Sequence, residues 1–339
     1  MPRRILLTLT FSLLLSLSGI GLVIALTGER ESLAQLRSLS GGTLLVSGLL
    51  LALHDLMGGA RLALLAALCG APVSLWRGTR AFILGLFCAA LTPSGGGNAP
   101  AIALTLRRDG VRGSLAWAIT LYTSVLDLLF FAWSVPLAVL ILVFTGHAPP
   151  LLLGPGLALT TAFLFLWYGL SFQLGRSRRA LLRLFTLPFL RRWQRAAGRF
   201  LGQFDETAQF IARQPWRTQL ALQAATAALH LALYAIFFAV ATDLGLAVSL
   251  GETLALLLLV SVTSYVVPTP GSSGYLEVAL TYAFARSADP ALVIPAVLAW
   301  RAFGFYLSVA IGACLGGGLL VKELRQTKPG GKNGGEARA

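Results

Sequence analysis

Two short stretches decide how this chain folds: Leu91-Thr92-Pro93-Ser94-Gly95-Gly96-Gly97-Asn98-Ala99-Pro100 and Val267-Pro268-Thr269-Pro270-Gly271-Ser272-Ser273-Gly274-Tyr275-Leu276-Glu277. Each interrupts a long apolar run, Ala81–Leu106 in the first case and Thr253–Ala285 in the second. Proline fixes φ and removes a backbone donor, and glycine permits sharp reversals, so each stretch reads as a break between two helical arms. The breaks lie about half the chain apart, and Ala103-Leu104-Thr105 after the first is echoed by Ala279-Leu280-Thr281 after the second. Around each break the order of segments is helix, helix, broken hairpin, helix. Gly/Pro-interrupted segments at matching places in two halves are the mark of an inverted repeat.

Working outward, six further segments read as full spans: Ile5–Leu26, Leu39–Met57, Gly113–Phe144, Leu151–Leu174, Thr218–Thr242 and Pro290–Leu320. Ile5–Leu26 would rise about 33 Å as a helix, enough for a hydrocarbon core of about 30 Å. With no clear A-x-A site after it, a retained helix is preferred to a cleaved signal peptide. Pro136 inside the third span predicts a tilt or kink. Composition agrees: of 339 residues, 56 % are apolar and only 12 % charged, about half the usual globular share of ~25 %. The expected fold is an all-α polytopic membrane protein with six full transmembrane helices and two re-entrant broken-helix hairpins. The first repeat covers 1–145 with its hairpin at 81–106, and the second covers 151–320 with its hairpin at 253–285. A tail, 326–339, is expected to be disordered.

The charge is lopsided, 27 basic against 13 acidic residues, net +14. Basic residues flank the hydrophobic spans, so anionic lipid headgroups explain them better than nucleic acid does. Arg3, Arg4, Arg61, Arg77, Arg80, Arg107, Arg108 and Arg112, ten arginines between Arg176 and Arg217, and the basic tail can all face the cytoplasm. That requires each broken segment to enter and leave on one side, which makes it re-entrant. Both termini are then cytoplasmic, and the membrane is the inner (cytoplasmic) one. Segment 176–217 interleaves arginine with Leu181, Phe185, Phe189, Trp193, Phe200 and Phe204 and reads as an amphipathic helix or two lying on anionic lipid.

A helix broken inside the bilayer leaves N–H groups bare at the start of the next arm, and the local dipole favours anions such as phosphate. Thr92, Pro93, Ser94, Gly97 and Asn98 at the first tip, and Thr269, Pro270, Gly271, Ser272, Ser273 and Gly274 at the second, are therefore candidate substrate-binding residues. Ionisable residues inside spans cost roughly 2.5–3.5 kcal/mol each on insertion scales and so carry information. Asp127 and Arg301 occupy similar places in the two spans that follow the hairpins, and Glu277 opens the second arm of the second hairpin. The three are expected to form one buried ion-pair cluster that takes part in binding or coupling. His230 reads as a satisfied core histidine, and His54-Asp55 as interfacial.

Several chemistries are missing. Cys69, Cys88 and Cys314 sit in apolar runs without C-x-x-C spacing, and the three histidines are scattered, so no metal or other cofactor is expected. Neither G-x-x-x-x-G-K-[ST] nor G-x-S-x-G occurs.

The second tip resembles the P-T-P-G-G-x-G-x-x-E signature of the lysylphosphatidylglycerol synthase transmembrane-region family, also called flippase-like domain proteins. Leu91–Pro100 is similar to that family's T-P-S-x-x-G-G-Q-P element, with Asn98-Ala99 where Gly-Gln is common. Arg107-Arg108-Asp109-Gly110 and Arg301 fall where the family has a basic turn and an intramembrane arginine. The likeness runs over about 5–320, with no soluble aminoacyl-transferase domain following. It implies lipid translocation without lipid synthesis: a non-enzymatic flippase with membrane lipids, and possibly lipid-synthesis enzymes, as partners. The alternative is a membrane-embedded transferase or accessory protein in polyprenyl- or hopanoid-lipid metabolism, with Glu277 or Asp127 as general base.

Overall fold

The computed structural model describes residues 31–92, 95–172, 194–285 and 288–317, and among these every regular element is helical. The expected span Ile5–Leu26, the tail 326–339, and Pro93 and Ser94 of the first tip lie outside the described residues. After a 3-10 turn, Glu31–Ser38, the helices are α1 (Gly41–Leu68), α2 (Leu75–Ala90), α3 (Asn98–Arg108), α4 (Gly113–Thr145) and α5 (Pro150–Phe172). They continue as α6 (Gln194–Ala212), α7 (Trp216–Asp243), α8 (Leu250–Ser264), α9 (Tyr275–Phe284) and α10 (Pro290–Arg301). Beyond Arg301 the chain runs on through a π-helical turn, Ala302–Leu307, then α11 (Ser308–Gly312), then a second π-helical turn, Ala313–Gly317. Four helical stretches are long and apolar enough to cross a membrane: Gly41–Leu68, Gly113–Thr145, Trp216–Asp243 and Ala291–Gly316. The chain is a multi-pass membrane protein.

Side-chain caps set several helix starts. Ser40 accepts from the Thr43 N–H, Ser74 from that of Arg77, Ser249 from that of Glu252, and Asp289 from that of Ala291. Each satisfies a donor that the helix itself leaves open. Threonines inside the helices dispose of their hydroxyls locally: Thr105, Thr120, Thr226 and Thr281 all donate to the carbonyl four residues back. The membrane core supplies no water, so such self-satisfaction is what an apolar helix body needs. Outward-facing Leu45, Leu49, Phe144, Phe165 and Leu220 remain exposed, as side chains that meet acyl chains would be.

One expected boundary moves. The second span was placed at Leu39–Met57, yet α1 runs on to Leu68. His54, Asp55 and Arg61 are all inside it and buried. Arg61 is therefore not a cytoplasmic loop residue, and His54-Asp55 is not interfacial. The glycines that suggested a loop serve packing: Gly58 lies against the Phe82 ring, and Gly59 and Gly78 let the α1 and α2 backbones touch. Likewise α2 begins at Leu75, so the first arm of hairpin one has 16 residues and rises about 24 Å, more than the Ala81–Leu91 arm predicted.

Both breaks join antiparallel arms. In the first, Arg80 on α2 bonds Asp109 beyond α3 at 2.8 Å, while nearer the tip Gly85 lies against Asn98. In the second, the Tyr275 hydroxyl at the start of α9 donates to Thr263 Oγ1 near the end of α8 at 2.6 Å. Helices α1 and α7 also run antiparallel: the Ser40 N–H donates to Asp243 at 2.7 Å, His54 pairs with the Leu229 carbonyl, and Arg61 reaches Thr226. Further packing is reciprocal, with α4 on α8 and the end of the last span on α2. Helix α6 falls within the basic 176–217 segment, of which 173–193 lie outside the described residues. Its Phe204, Ala208 and Ile211 are buried in a core shared with Ile119 and Leu222, so this part of the apolar face meets protein rather than lipid.

Candidate functional site

The first tip is closed by Thr92. Its hydroxyl donates to the Cys88 carbonyl at 2.9 Å and accepts from the Gly97 N–H at 2.7 Å. Gly95 has φ +68. Asn98 opens α3, and its Oδ1 is buried without a hydrogen-bond partner.

The second tip is held more firmly. The Thr269 hydroxyl donates to the Ser273 carbonyl at 3.0 Å, and that of Ser272 to the Ser264 carbonyl at 3.2 Å. Gly271 (φ +60) and Gly274 (φ +84) take left-handed turns, and a side chain on Gly271 would collide with the Phe305 ring. Ser272 also has a positive φ, +51, strain that a non-glycine residue tolerates only where its surroundings impose it. Glu277 supplies much of that constraint. Its Oε2 accepts from the Gly274 N–H at 2.7 Å, and its Oε1 from Arg301 Nε at 3.0 Å. Arg301 then donates from Nη1 to the Gly271 carbonyl at 3.1 Å and from Nη2 to Ser273 Oγ at 2.8 Å. Its guanidinium carbon lies 4.3 Å from the Phe305 ring centre. Glu277 and Arg301 are 1 % and 4 % exposed, so the pair is a buried pin holding the turn to the last span. The first N–H of α9 is consequently taken by Glu277 rather than left bare for an anion.

Asp127 stands elsewhere. Its Oδ1 accepts from Arg61 Nη1 and pairs with His230 Nε2 at 3.3 Å. The three ionisable residues expected in one cluster thus divide between two: Glu277 with Arg301, and Asp127 with Arg61 and His230. His230 also stacks on Phe130, ring centres 4.7 Å apart and nearly parallel.

Three adjoining cavities separate the tips. The largest, ≈ 460 Å³, is lined by His54, Arg61, Gly95, Gly96, Asn98, Asp127 and His230 among others. A second of ≈ 260 Å³ is bordered by His230, Gly271, Ser272 and Arg301. A third of ≈ 250 Å³ has Gly95 from one tip and Gly271 with Ser272 from the other in its wall. Tyr265 and Gly304 border all three. The two tips therefore face common space. Of the residues singled out in the sequence, Asn98, Gly271, Ser272, Asp127 and Arg301 line it. Thr92, Gly97, Thr269, Ser273, Gly274 and Glu277 stand behind the walls and shape the tips.

Sequence reasoning overlooked Arg61 and His54 as site residues and set His230 aside as core. The available signal was the same one used for Asp127, an ionisable residue inside an apolar helix. Arg61 escaped it only because the span was ended at Met57. Among the described residues no three His, Cys, Asp or Glu side chains gather as a metal site would need.

The sequence profile described as Lysylphosphatidylglycerol synthase TM region matches residues 9–312. The chain belongs to this family. No curated relative matches it. Membership ties this multi-pass membrane protein to lipid metabolism or transport. Within the family frame, its distinctive equipment is a polar cavity between two hairpin tips, walled by one buried ion triad and braced by one buried ion pair.

Proposed function

We propose that this protein moves a phospholipid or related lipid between leaflets of the cytoplasmic membrane by alternating access, without chemically modifying it. The observation that carries the reading is the shared cavity: both broken-helix tips and a charged triad border one polar space inside an apolar helical body. Its largest compartment falls within the ~300–1,000 Å³ typical of small-molecule sites. In this reading the headgroup sits between the tips, with acyl chains left in the bilayer. Gly95, Gly96, Gly271 and Ser272 allow close approach, Asn98 offers an unpaired amide oxygen, and Arg61 and Arg301 present positive charge to the phosphate. Thr92, Pro93, Ser94, Gly97, Thr269, Pro270, Ser273 and Gly274 shape the tips, and Glu277 fixes Arg301.

The recurrence of helix, hairpin and helix in α1–α4 and α7–α10 supports an inverted repeat. So does the packing, since exchanging the halves turns α4 on α8 into the last span on α2 and leaves α1 on α7 unchanged. Two halves of that kind rock about a fixed midplane site, with re-entrant hairpins reaching it from opposite faces. Both termini are then cytoplasmic. The experiment is leaflet sidedness of a fluorescent short-chain phospholipid in proteoliposomes, with wild type, Arg61→Ala, Glu277→Gln and Arg301→Ala. The variants should translocate far less than wild type. Equal rates for empty liposomes, wild type and variants would overturn the reading, and turnover of a labelled donor lipid would put the transferase in its place.

A further inference from the structure

The compartment bounded by α1, α4 and α7 contains a nitrogen whose role the ion pairs do not explain. An ionised carboxylate can only accept, so the bond between His230 and Asp127 puts the histidine proton on Nε2. Nδ1 then carries the lone pair. Among the described residues Nδ1 has no hydrogen-bond partner, and the ring borders the two cavities of ≈ 260 and ≈ 460 Å³. The parallel Phe130 ring at 4.7 Å presents its negative face, a placement that favours a cationic imidazolium.

The fixed charges around the cavity cancel in pairs, Arg61 against Asp127 and Arg301 against Glu277. A phosphate monoanion entering this apolar body leaves one negative charge uncompensated, which is costly to bury. A proton on His230 removes the deficit. The other titratable or charged groups around the ring are His54, Asp55 and Arg61 on α1, Asp127 on α4, Tyr234 on its own helix, Tyr265 after α8, and Arg301. Of these His54 is the competing acceptor. Its Nδ1 donates to the Leu229 carbonyl at 2.8 Å, and its Nε2 lies 4.0 Å from Asp55.

We propose that His230 is a proton-binding site coupled to the headgroup, so that a phosphodiester monoanion and one proton load the cavity together. This rests on the headgroup-in-cavity reading above. The proton comes from the aqueous phase onto Nδ1 while the Nε2–H stays on Asp127, and it leaves from Nδ1 when the headgroup is released. One negative and one positive charge cross together, so transport follows a pH gradient and is indifferent to membrane voltage.

The test titrates purified protein in non-ionic detergent with dihexanoyl phosphatidylglycerol, in weak buffer containing a pH indicator. Wild type should take up about one proton per lipid bound, and its affinity should weaken about tenfold per pH unit on the alkaline side of the His230 titration. His230→Gln should bind lipid with no uptake and no pH dependence, whereas His54→Gln and Asp55→Asn should keep both. Glycerophosphoglycerol, the tail-less headgroup, is the second arm: uptake with it too makes a free organophosphate a ligand, and uptake with lipid alone confines the site to membrane substrate. Lipid binding by wild type without proton uptake between roughly pH 6 and 8, where histidine titrates, overturns the proposal while the transport reading stands. Uptake that survives in His230→Gln and disappears in His54→Gln overturns the assignment. No lipid binding at all overturns both. The wild-type pH series carries the test even if His230→Gln does not fold.

Discussion

Replacing Glu277 by alanine should damage the protein more than any single loss at the first tip, and the structure says by how much. Glu277 does two things at once: it neutralises Arg301 and caps the Gly274 N–H. Removing one member of a buried pair typically costs about 3–5 kcal/mol, because the survivor keeps a buried charge with no counterion. Losing the cap adds about 0.5–2 kcal/mol. The sum, roughly 4–6 kcal/mol, is a large part of the ~5–15 kcal/mol that holds a folded protein together. Glu277→Leu with Arg301→Met removes both charges and should recover most of the loss. It should stay about 1–3 kcal/mol below wild type, since the Gly271 carbonyl and Ser273 lose their donor. The assay is a double-mutant cycle by reversible unfolding in mixed micelles. The reasoning is refuted if Glu277→Ala lies within about 1 kcal/mol of wild type, below the least that either lost interaction predicts. It is equally refuted if the double variant is no more stable than Glu277→Ala.

Other outcomes follow from the same geometry. Gly304→Ala places a methyl against Leu233 at the point bordering all three cavities; it should cost about 1–3 kcal/mol of overpacking and slow lipid translocation, measured in proteoliposomes. With Cys69, Cys88 and Cys314 replaced, Ala89→Cys and Ser272→Cys share one cavity wall and should be joined by a short bifunctional thiol reagent. Absence of that cross-link on gels would count against the common space. His147→Cys, in the loop after α4, should react with a membrane-impermeant thiol reagent added outside intact cells, and Arg112→Cys only after lysis. The reverse pattern would invert the proposed orientation.

The breaks were legible because proline and glycine act on the backbone at their own positions, so Thr92–Gly97 and Thr269–Gly274 announce turns whatever surrounds them. The ion triad was not. Arg61, Asp127 and His230 come from three helices far apart in sequence, and each looks like an isolated misfit until packing sets them side by side. The error at Met57 has the same origin: Asp55, Gly58, Gly59 and Arg61 look like a polar turn, but the glycines admit α2 and the arginine meets Asp127. Pairing Asp127 with Arg301 used the symmetry of the sequence, whereas each charge in fact met the nearest opposite charge its helix could reach. The π-helical turns left no trace in composition, since a bond to the fifth residue back needs no special side chain.

Those two wide turns have a consequence for the length of the last span. A π-turn takes in one residue more than an α-turn, so deleting a residue from 302–307 would heal the first one locally at little cost. Everything after it would rotate by about 100° and retreat by about 1.5 Å. Gly312, which now sits flush against Phe87 of the first hairpin, would swing away and a bulkier neighbour would arrive. The residue count between Arg301 and Gly312 is thus a ruler, and it decides which face of the second half's final helix leans on the first half's hairpin.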